Sequence, residues 1–217
     1  MPSPLHEPRP STRAKRARAL AAAQRLFLER GYTGTSMEAI ALEAGITKQT
    51  LYTYHTSKAD LFTAVLRELT VEGPVRPLQL PPTGAAPGDA EALRQALRQL
   101  VGGIASAMFQ PDYIALVRVI VSEIPRAPDL GAVFRAVVAD RGVSTIAGVI
   151  RAAMATGAAR SGDPEAAATL LLGALVLRIF RDGLLAVPGA EVAPRPDQLD
   201  ALVDEFLLGV SAKPVAT

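Results

Sequence analysis

Apolar residues recur along this chain every three to four positions, the spacing of an amphipathic helix, and no stretch alternates with the period of two expected of a strand. Leu20, Ala23, Phe27 and Leu28 share a face in a helix expected from Ser11 or Thr12 to Arg30, with Gly31 placed to stop it. Thr35, followed three residues later by Glu38, has the spacing of a capping box. It opens a short helix with Met37, Ile40, Ala41 and Ala44 on one side and Gly45 at its end. Thr47 caps a third helix through Leu51 to about Tyr54. Ser57 caps a fourth from Lys58 to about Glu72, with Leu61, Phe62, Val65, Leu66 and Leu69 inward.

Residues 73–88 hold five prolines and three glycines and break this rhythm. Beyond them the helical period returns. One stripe joins Leu93, Leu97, Leu100, Val101, Ile104 and Met108; a second joins Tyr113, Leu116, Val117, Ile120, Val121 and Ile124. Asp129 is placed to cap a long segment reaching about Ala155, with Gly157 at its end. Asp163-Pro164 is a cap followed by proline at the first helical position, and the helix it starts is apolar nearly all round to about Leu185. Asp197 opens a last helix carrying Leu199, Leu202, Val203, Phe206, Leu207 and Val210. The expected fold is all-α with about nine helices. Its expected parts are a flexible basic arm (1–11), a four-helix unit (12–72), a Pro/Gly-rich linker (73–90) and a C-terminal helical unit (91–217).

Composition removes several chemistries. The 217 residues contain no cysteine, which excludes disulfides, thiolate metal sites and cysteine nucleophiles, and only two histidines, His6 and His55. There is no Gly-rich phosphate loop, no H-E-x-x-H and no G-x-S-x-G. The expectation is a non-enzyme with neither metal nor cofactor. The N-terminal stretch lacks the apolar core of a signal peptide. The longest uncharged apolar run, Ala166–Leu177, has twelve residues against the roughly 18 of a membrane span. A cytoplasmic chain is expected.

The net charge of +2 conceals an uneven distribution. Residues 1–58 carry nine basic and four acidic side chains, a net +5; the remaining residues carry fourteen and seventeen, a net −3. A basic end on an acidic body suits a polyanionic partner. Within that end, Glu43-Ala44-Gly45-Ile46 has the small–Gly–apolar pattern of a helix-turn-helix corner, which presents its second helix to the DNA major groove. Thr47, Lys48, Gln49, Thr50, Tyr52 and Thr53 are the side chains expected to face out, with Leu51 inward. Lys48 suits guanine and Gln49 adenine; Thr50 and Thr53 suit phosphates or thymine methyls, and Tyr52 and Tyr54 add hydroxyls for phosphate. Thr35 and Ser36 stand at a helix start where free amides attract phosphate, and Lys58 opens the next helix.

The run Gly45-Ile46-Thr47-Lys48-Gln49-Thr50-Leu51-Tyr52-Thr53-Tyr54-His55-Thr56-Ser57-Lys58-Ala59-Asp60-Leu61-Phe62, with its lead-in Phe27-x3-Gly31-Tyr32-x2-Thr35-Ser36, resembles the helix-turn-helix of the TetR family of transcriptional regulators. The resemblance spans about residues 12–65. It implies a three-helix DNA-binding unit, a fourth helix linking it to an all-α ligand-binding and dimerisation unit, and DNA contacts at Ser36, Thr47, Lys48, Gln49, Thr50, Tyr52, Thr53, Tyr54 and Lys58. Two positions depart from the family. His55 stands where phenylalanine is common, so it either packs with its polar edge outward or touches phosphate, packing being the favoured reading. Gln49 stands where a small residue is common, which points to a distinctive operator. The stretch from Ala115 to Leu130 is similar to the C-terminal domain of AefR-like members.

Helices 164–185 and 197–210 are too apolar to be left exposed and are expected to form a homodimer interface. A twofold dimer sets its two recognition helices roughly 34–36 Å apart, on a pseudo-palindromic double-stranded operator. Met108, Phe109, Tyr113, Leu116, Val117, Ile120 and Phe134 are candidate lining residues of a pocket for a small apolar or amphipathic effector; each also suits ordinary core. Arg178 and Arg181 interrupt the apolar helix: they serve an acidic ligand group, or pair with Asp182 or with a second chain's carboxylate. Aromatic residues total only 5%, too few for a cage around a large flat cation. The leading expectation is therefore a dimeric repressor released from its operator by a small ligand. The alternative is a helical small-molecule-binding protein or enzyme whose basic N-terminal arm is incidental.

Overall fold

The computed structural model describes residues 10–72 and 86–210; the expected arm up to residue 9, residues 73–85 of the expected linker and the last seven residues lie outside the described residues. Nine helices and no β-strand form among the described residues.

Helix α1 (Pro10–Arg30) buries Ala19, Ala22, Ala23, Leu26 and Phe27, positions that line one side at helical spacing. It stops at Gly31, whose φ of 72° is open to glycine at little steric cost. Helix α2 (Met37–Glu43) follows. Ser36, rather than Thr35, is its cap, accepting a hydrogen bond from the Ala39 amide at 3.1 Å. Thr35 is buried, and its hydroxyl donates to the carbonyls of Leu26 (3.1 Å) and Gly31 (2.8 Å) at the end of α1. Helix α3 (Lys48–Tyr54) is capped by Thr47 and α4 by Ser57, as their spacing predicts. Helix α4 is α-helical over Lys58–Arg67 and continues as a π-helical turn, Glu68–Glu72.

The second group starts with α5 (Ala90–Met108), capped by Asp89, and α6 (Pro111–Glu123), which has proline at its first position. Helix α7 runs over 129–156, α-helical at Asp129–Phe134 and Asp140–Thr156 with a π-helical turn, Arg135–Ala139, between them. Asp129 is its first helical residue; Pro128 precedes it and no side chain caps the end. The carboxylate there still complements the positive end of the helix. Gly157 ends α7 at φ 79°. Helix α8 spans 164–184, α-helical at Pro164–Arg178 and π-helical at Ile179–Leu184; Asp163 accepts from the amides of Glu165 and Ala166. Helix α9 (Pro196–Val210) completes the set and is tied to α5 by Arg94–Asp204 and Arg98–Asp200 ion pairs.

Two hydrophobic cores result. In the head, α1–α4, the rings of Phe27, Tyr32 and Phe62 meet at centroid distances of 5.2–5.8 Å, in reach of favourable edge and offset contacts. In the body, α5–α9, Leu97, Ile104, Ile114, Ile146, Ile150, Leu171, Leu175 and Val203 interlock. Helix α6 belongs to both: Tyr113, Ile114 and Val117 lie in the body core, Leu116 and Ile120 in the head core. Burying each such aliphatic side chain contributes about 1.5–3 kcal/mol, so α6 is anchored on two sides.

Candidate functional site

The corner between α2 and α3 closes through two backbone bonds. The Gly45 amide donates to Leu42 O (3.1 Å) and the Ile46 amide to Ala41 O (3.0 Å), with Gly45 at φ 63°. This is the Schellman arrangement, which needs a left-handed residue at that place. Leu51, wholly buried, pins α3 against α1 and α2, and thereby fixes which side of α3 faces solvent.

That side carries Thr47, Lys48, Gln49, Tyr52 and Thr53, all exposed, with Thr50 and Tyr54 half-buried beside them. Thr47 and Thr50 share a hydroxyl hydrogen bond at 2.8 Å, and Thr53 donates to Gln49 O at 2.9 Å. Lys48 forms an ion pair with Glu38 of α2, which holds the Glu38 carboxyl below and the Lys48 ammonium above their ordinary ranges. The Lys48 Nζ is also 5.8 Å from the Tyr52 ring centroid. Ser36 is exposed at the start of α2.

Two expected phosphate contacts are placed otherwise. Thr35, at 2% exposure, has its hydroxyl committed to the end of α1, so its side chain is a brace inside the head. Lys58 is half-buried, and its Nζ donates to Tyr32 O and Thr35 O, each at 2.9 Å. Burial lowers its pKa, and Glu123 opposes that shift. Lys58 therefore staples the loop between α1 and α2. His55 packs, but not with its polar edge outward: it is 2% exposed, with Nδ1 3.5 Å from a carboxylate oxygen of Asp60 and neither ring nitrogen hydrogen-bonded among the described residues. Burial pushes its pKa down, only partly offset by Asp60.

Arg16 and Arg18 of α1 were missed at the level of motifs. Both are exposed; the Arg18 guanidinium stands 3.8 Å from where a β-carbon on Gly45 would lie, and Arg16 is close enough to depress His55. Their signal in the sequence was the basic character of α1, which carries no indication of which arginines flank the corner.

A partly open cavity of about 410 Å³ lies in the body. Of the candidate lining residues, Met108, Tyr113, Val117 and Phe134 do line it. Leu116 and Ile120 are corrected: they sit on the other side of α6, in the head core. Phe109 packs in the body core outside the cavity wall, and Arg178 is absent from the wall as well. Arg181 takes the pairing alternative, contacting Asp182 at 2.6 and 2.8 Å. The cation that does line the cavity is Arg141. All three π-helical turns also reach it: Thr70 from α4, Val137, Val138 and Ala139 from α7, and Ile179, Phe180 and Leu184 from α8. Such turns are rare and recur at functional sites. Among the described residues no cluster of three or more His, Asp or Glu is placed to hold a metal ion, and no single helix is long and apolar enough to cross a membrane.

Head and body touch through α6 at both ends. Gln24 of α1 donates to Asp112 at 2.8 Å, and Thr33 donates to Glu123.

Known proteins resemble this chain in sequence and fold. A family model for bacterial regulatory proteins of the TetR family matches residues 19–65, and a model for the C-terminal domain of AefR-like transcriptional repressors matches residues 95–208, more than half of the chain. The HTH-type transcriptional activator FasR of Mycolicibacterium smegmatis is 42% identical over 53 residues; the match spans about a quarter of that relative, 24% of its length and 24% of this chain. Among solved structures, the flavonoid-responsive regulator FrrA is similar with 28% identity and a TM-score of 0.65, over 91% of this chain and 97% of that one. A TetR family transcriptional regulator from Pseudomonas syringae pv. tomato has 25% identity and a TM-score of 0.64, over 91% and 97%.

Proposed function

Because this chain belongs to the TetR family of bacterial transcriptional regulators, a family of DNA-binding proteins rather than enzymes, we propose that it is a dimeric repressor that leaves its operator when a small molecule fills the body cavity. The observation that carries the reading is the double membership of α6. One side lines the cavity with Tyr113 and Val117, the other side is head core through Leu116 and Ile120, and both ends are hydrogen-bonded to the head. A ligand that favours a different placement of α6 must also alter the head, which is the differential interaction an effector needs. Helix α4 offers a second connection, with Lys58 stapling the head loop at one end and Thr70 lining the cavity at the other.

In this reading Thr47, Lys48, Gln49, Thr50, Tyr52, Thr53 and Tyr54 address the major groove and its phosphates, Ser36 the adjacent backbone. Arg16 and Arg18 add flanking phosphate contacts, since cations beside the recognition helix supply most of the sequence-independent affinity. The dimer forms through α8 and α9. Leu170 (72% exposed), Val176, Leu177 (66%) and Phe180 make an apolar face on α8, and Leu208 extends it on α9. A second copy of the same face covers it, and the two heads then meet pseudo-palindromic half-sites about one turn apart. A DNA-binding regulator of this kind works in the cytoplasm.

The deciding experiment selects bound DNA from a random pool with the full chain, then maps the enriched site in a promoter reporter. A pseudo-palindromic site with repression in the absence of effector is expected. No enrichment overturns the DNA-binding reading. Activation from the same site overturns only the sign, and the FasR relative, described as an activator, makes that readout necessary.

A further inference from the structure

The polar groups on the cavity wall are unusually one-sided. Among the described residues four polar side chains reach it: Thr70, Tyr113, Arg141 and Thr145. Thr70 and Thr145 have committed their hydroxyl protons to their own helices, donating to Leu66 O (2.7 Å) and Arg141 O (2.8 Å). The other two have protons to give. Tyr113 is 1% exposed, and its hydroxyl makes no hydrogen bond to any described residue; burial raises its pKa, so the phenol stays protonated and is a donor. Arg141 is an exposed residue of the wall, with no carboxylate in ion-pair distance among the described residues. A guanidinium carries five N–H donors and accepts nothing. Among the described residues no aspartate or glutamate lines the cavity, and the rest of the wall is apolar, with Ile104, Met108, Val117, Phe134, Leu172 and Ile179 among it.

Such a wall selects by charge. A donor that faces the cavity without a protein partner is open to a ligand oxygen that accepts from it. A cationic ligand would meet Arg141 with no acid to offset it. An anionic head meets Arg141 while remaining partly hydrated, so its desolvation is small, and its apolar body enters the interior. At about 410 Å³ the space sits in the lower part of the range for small-molecule sites, roughly 300–1,000 Å³. That volume suits one ring system or one medium-length chain.

We infer that the effector is an amphipathic carboxylate: an apolar body inside the wall of α5–α8, with its carboxylate on Arg141. The inference rests on reading this cavity as the effector site. It assigns the acid-binding role to Arg141 of α7, where the sequence had offered Arg178 of α8. Tyr113 adds that the ligand brings an oxygen able to accept a hydrogen bond inside the wall.

The test uses three probes of one chain length and different charge: dodecanoate, dodecan-1-ol and dodecyltrimethylammonium. Each is titrated below its micellar concentration, or for the alcohol below its solubility limit, into the whole chain, by calorimetry and by release of a labelled operator. Dodecanoate is expected to bind about tenfold or more tightly than the alcohol, the discrimination one charge-assisted pair provides, and the cation weakest. In Arg141→Met, a change at an exposed position, the acid-over-alcohol preference falls to about one; in Arg141→Lys most of it survives. Equal binding of acid and alcohol, tighter binding of the cation, or an unchanged preference in Arg141→Met overturns the carboxylate assignment while the effector reading stands, because a ligand still binds and acts. Failure of all three to bind or to release the operator overturns both.

Discussion

Lys58 grips Tyr32 twice: its ammonium nitrogen lies 2.9 Å from the Tyr32 carbonyl oxygen and 4.4 Å from the centroid of the Tyr32 ring. A charged donor and a cation–π contact thus converge on the loop that sets α2 against α1, with the Thr35 carbonyl as a further acceptor. Removing the ammonium leaves two carbonyls short of a partner. Lys58→Met is expected to destabilise the head by about 1–3 kcal/mol, read as a lower midpoint in urea unfolding. The salt dependence of operator binding is expected to change far less than in Lys48→Met. A large drop in that slope for Lys58→Met would return Lys58 to the phosphate contacts.

Glu38 holds the lysine that the DNA is expected to need. Its carboxylate pairs with Lys48 and stands on the same exposed side as the residues proposed to face DNA. Glu38→Gln frees Lys48 and removes a negative charge from the path of the phosphates. Operator affinity is expected to rise several-fold at low salt, and the gain to shrink as salt screens it. Fluorescence anisotropy across a salt series measures this. Weaker binding would mean that Glu38 orients Lys48 for its base.

His55 makes the head sensitive to acid. Its pKa is depressed in the folded chain from an ordinary value near 6.5, chiefly by burial. Unfolding restores the ordinary value, so the unfolded chain binds more protons as the pH drops below about 6.5. Stability is therefore complete above that pH and is lost as pH falls toward the folded pKa. His55→Phe fills the same space without a titrating group and is expected to flatten the pH dependence of the melting temperature between pH 7.5 and 5. An equally steep profile in the variant would assign the acid sensitivity elsewhere.

The exposed face of α8 predicts assembly. Leu170→Glu with Leu177→Glu places four carboxylates in a symmetric interface if a second copy covers it, at a cost beyond what the contact supplies. Sedimentation is expected to show a monomer with unchanged helical content. Affinity for a full palindrome should then drop to that for a half-site. A variant that still sediments as a dimer would move the interface off α8.

Much of this architecture was legible in the chain. Thr47, Ser57, Asp163, Gly45 and Gly157 acted where their spacing placed them, because caps and left-handed turns are local decisions of the backbone. The choice between Thr35 and Ser36 was not local. Adjacent hydroxyls look equivalent to a capping pattern, and the packing of α1 against the loop drew Thr35 inward. Helix α6 posed a related problem: Tyr113, Leu116, Val117 and Ile120 are all apolar-facing, and only the placement of two cores decides which of them see the cavity. The π-helical turns left no trace in composition, since a shift from i→i−4 to i→i−5 bonding uses the same residues. Met108, Tyr113, Val117 and Phe134 were legible as wall residues, while the part of the wall that these turns supply was not, nor was Arg141 just beyond one of them.

A rod embedded in two cores has little freedom to be rewritten. A side chain on α6 that is enlarged to suit a new effector at Val117 tilts Leu116 and Ile120 in the head by the same movement. Lineages that acquire new effectors are thus expected to do so by substitutions on α5 and α8, whose cavity-lining side chains lie outside the head core. Laboratory selection for altered effector response should recover the same asymmetry, leaving the sequence from Asp112 to Glu123 the quietest stretch of the cavity's surroundings.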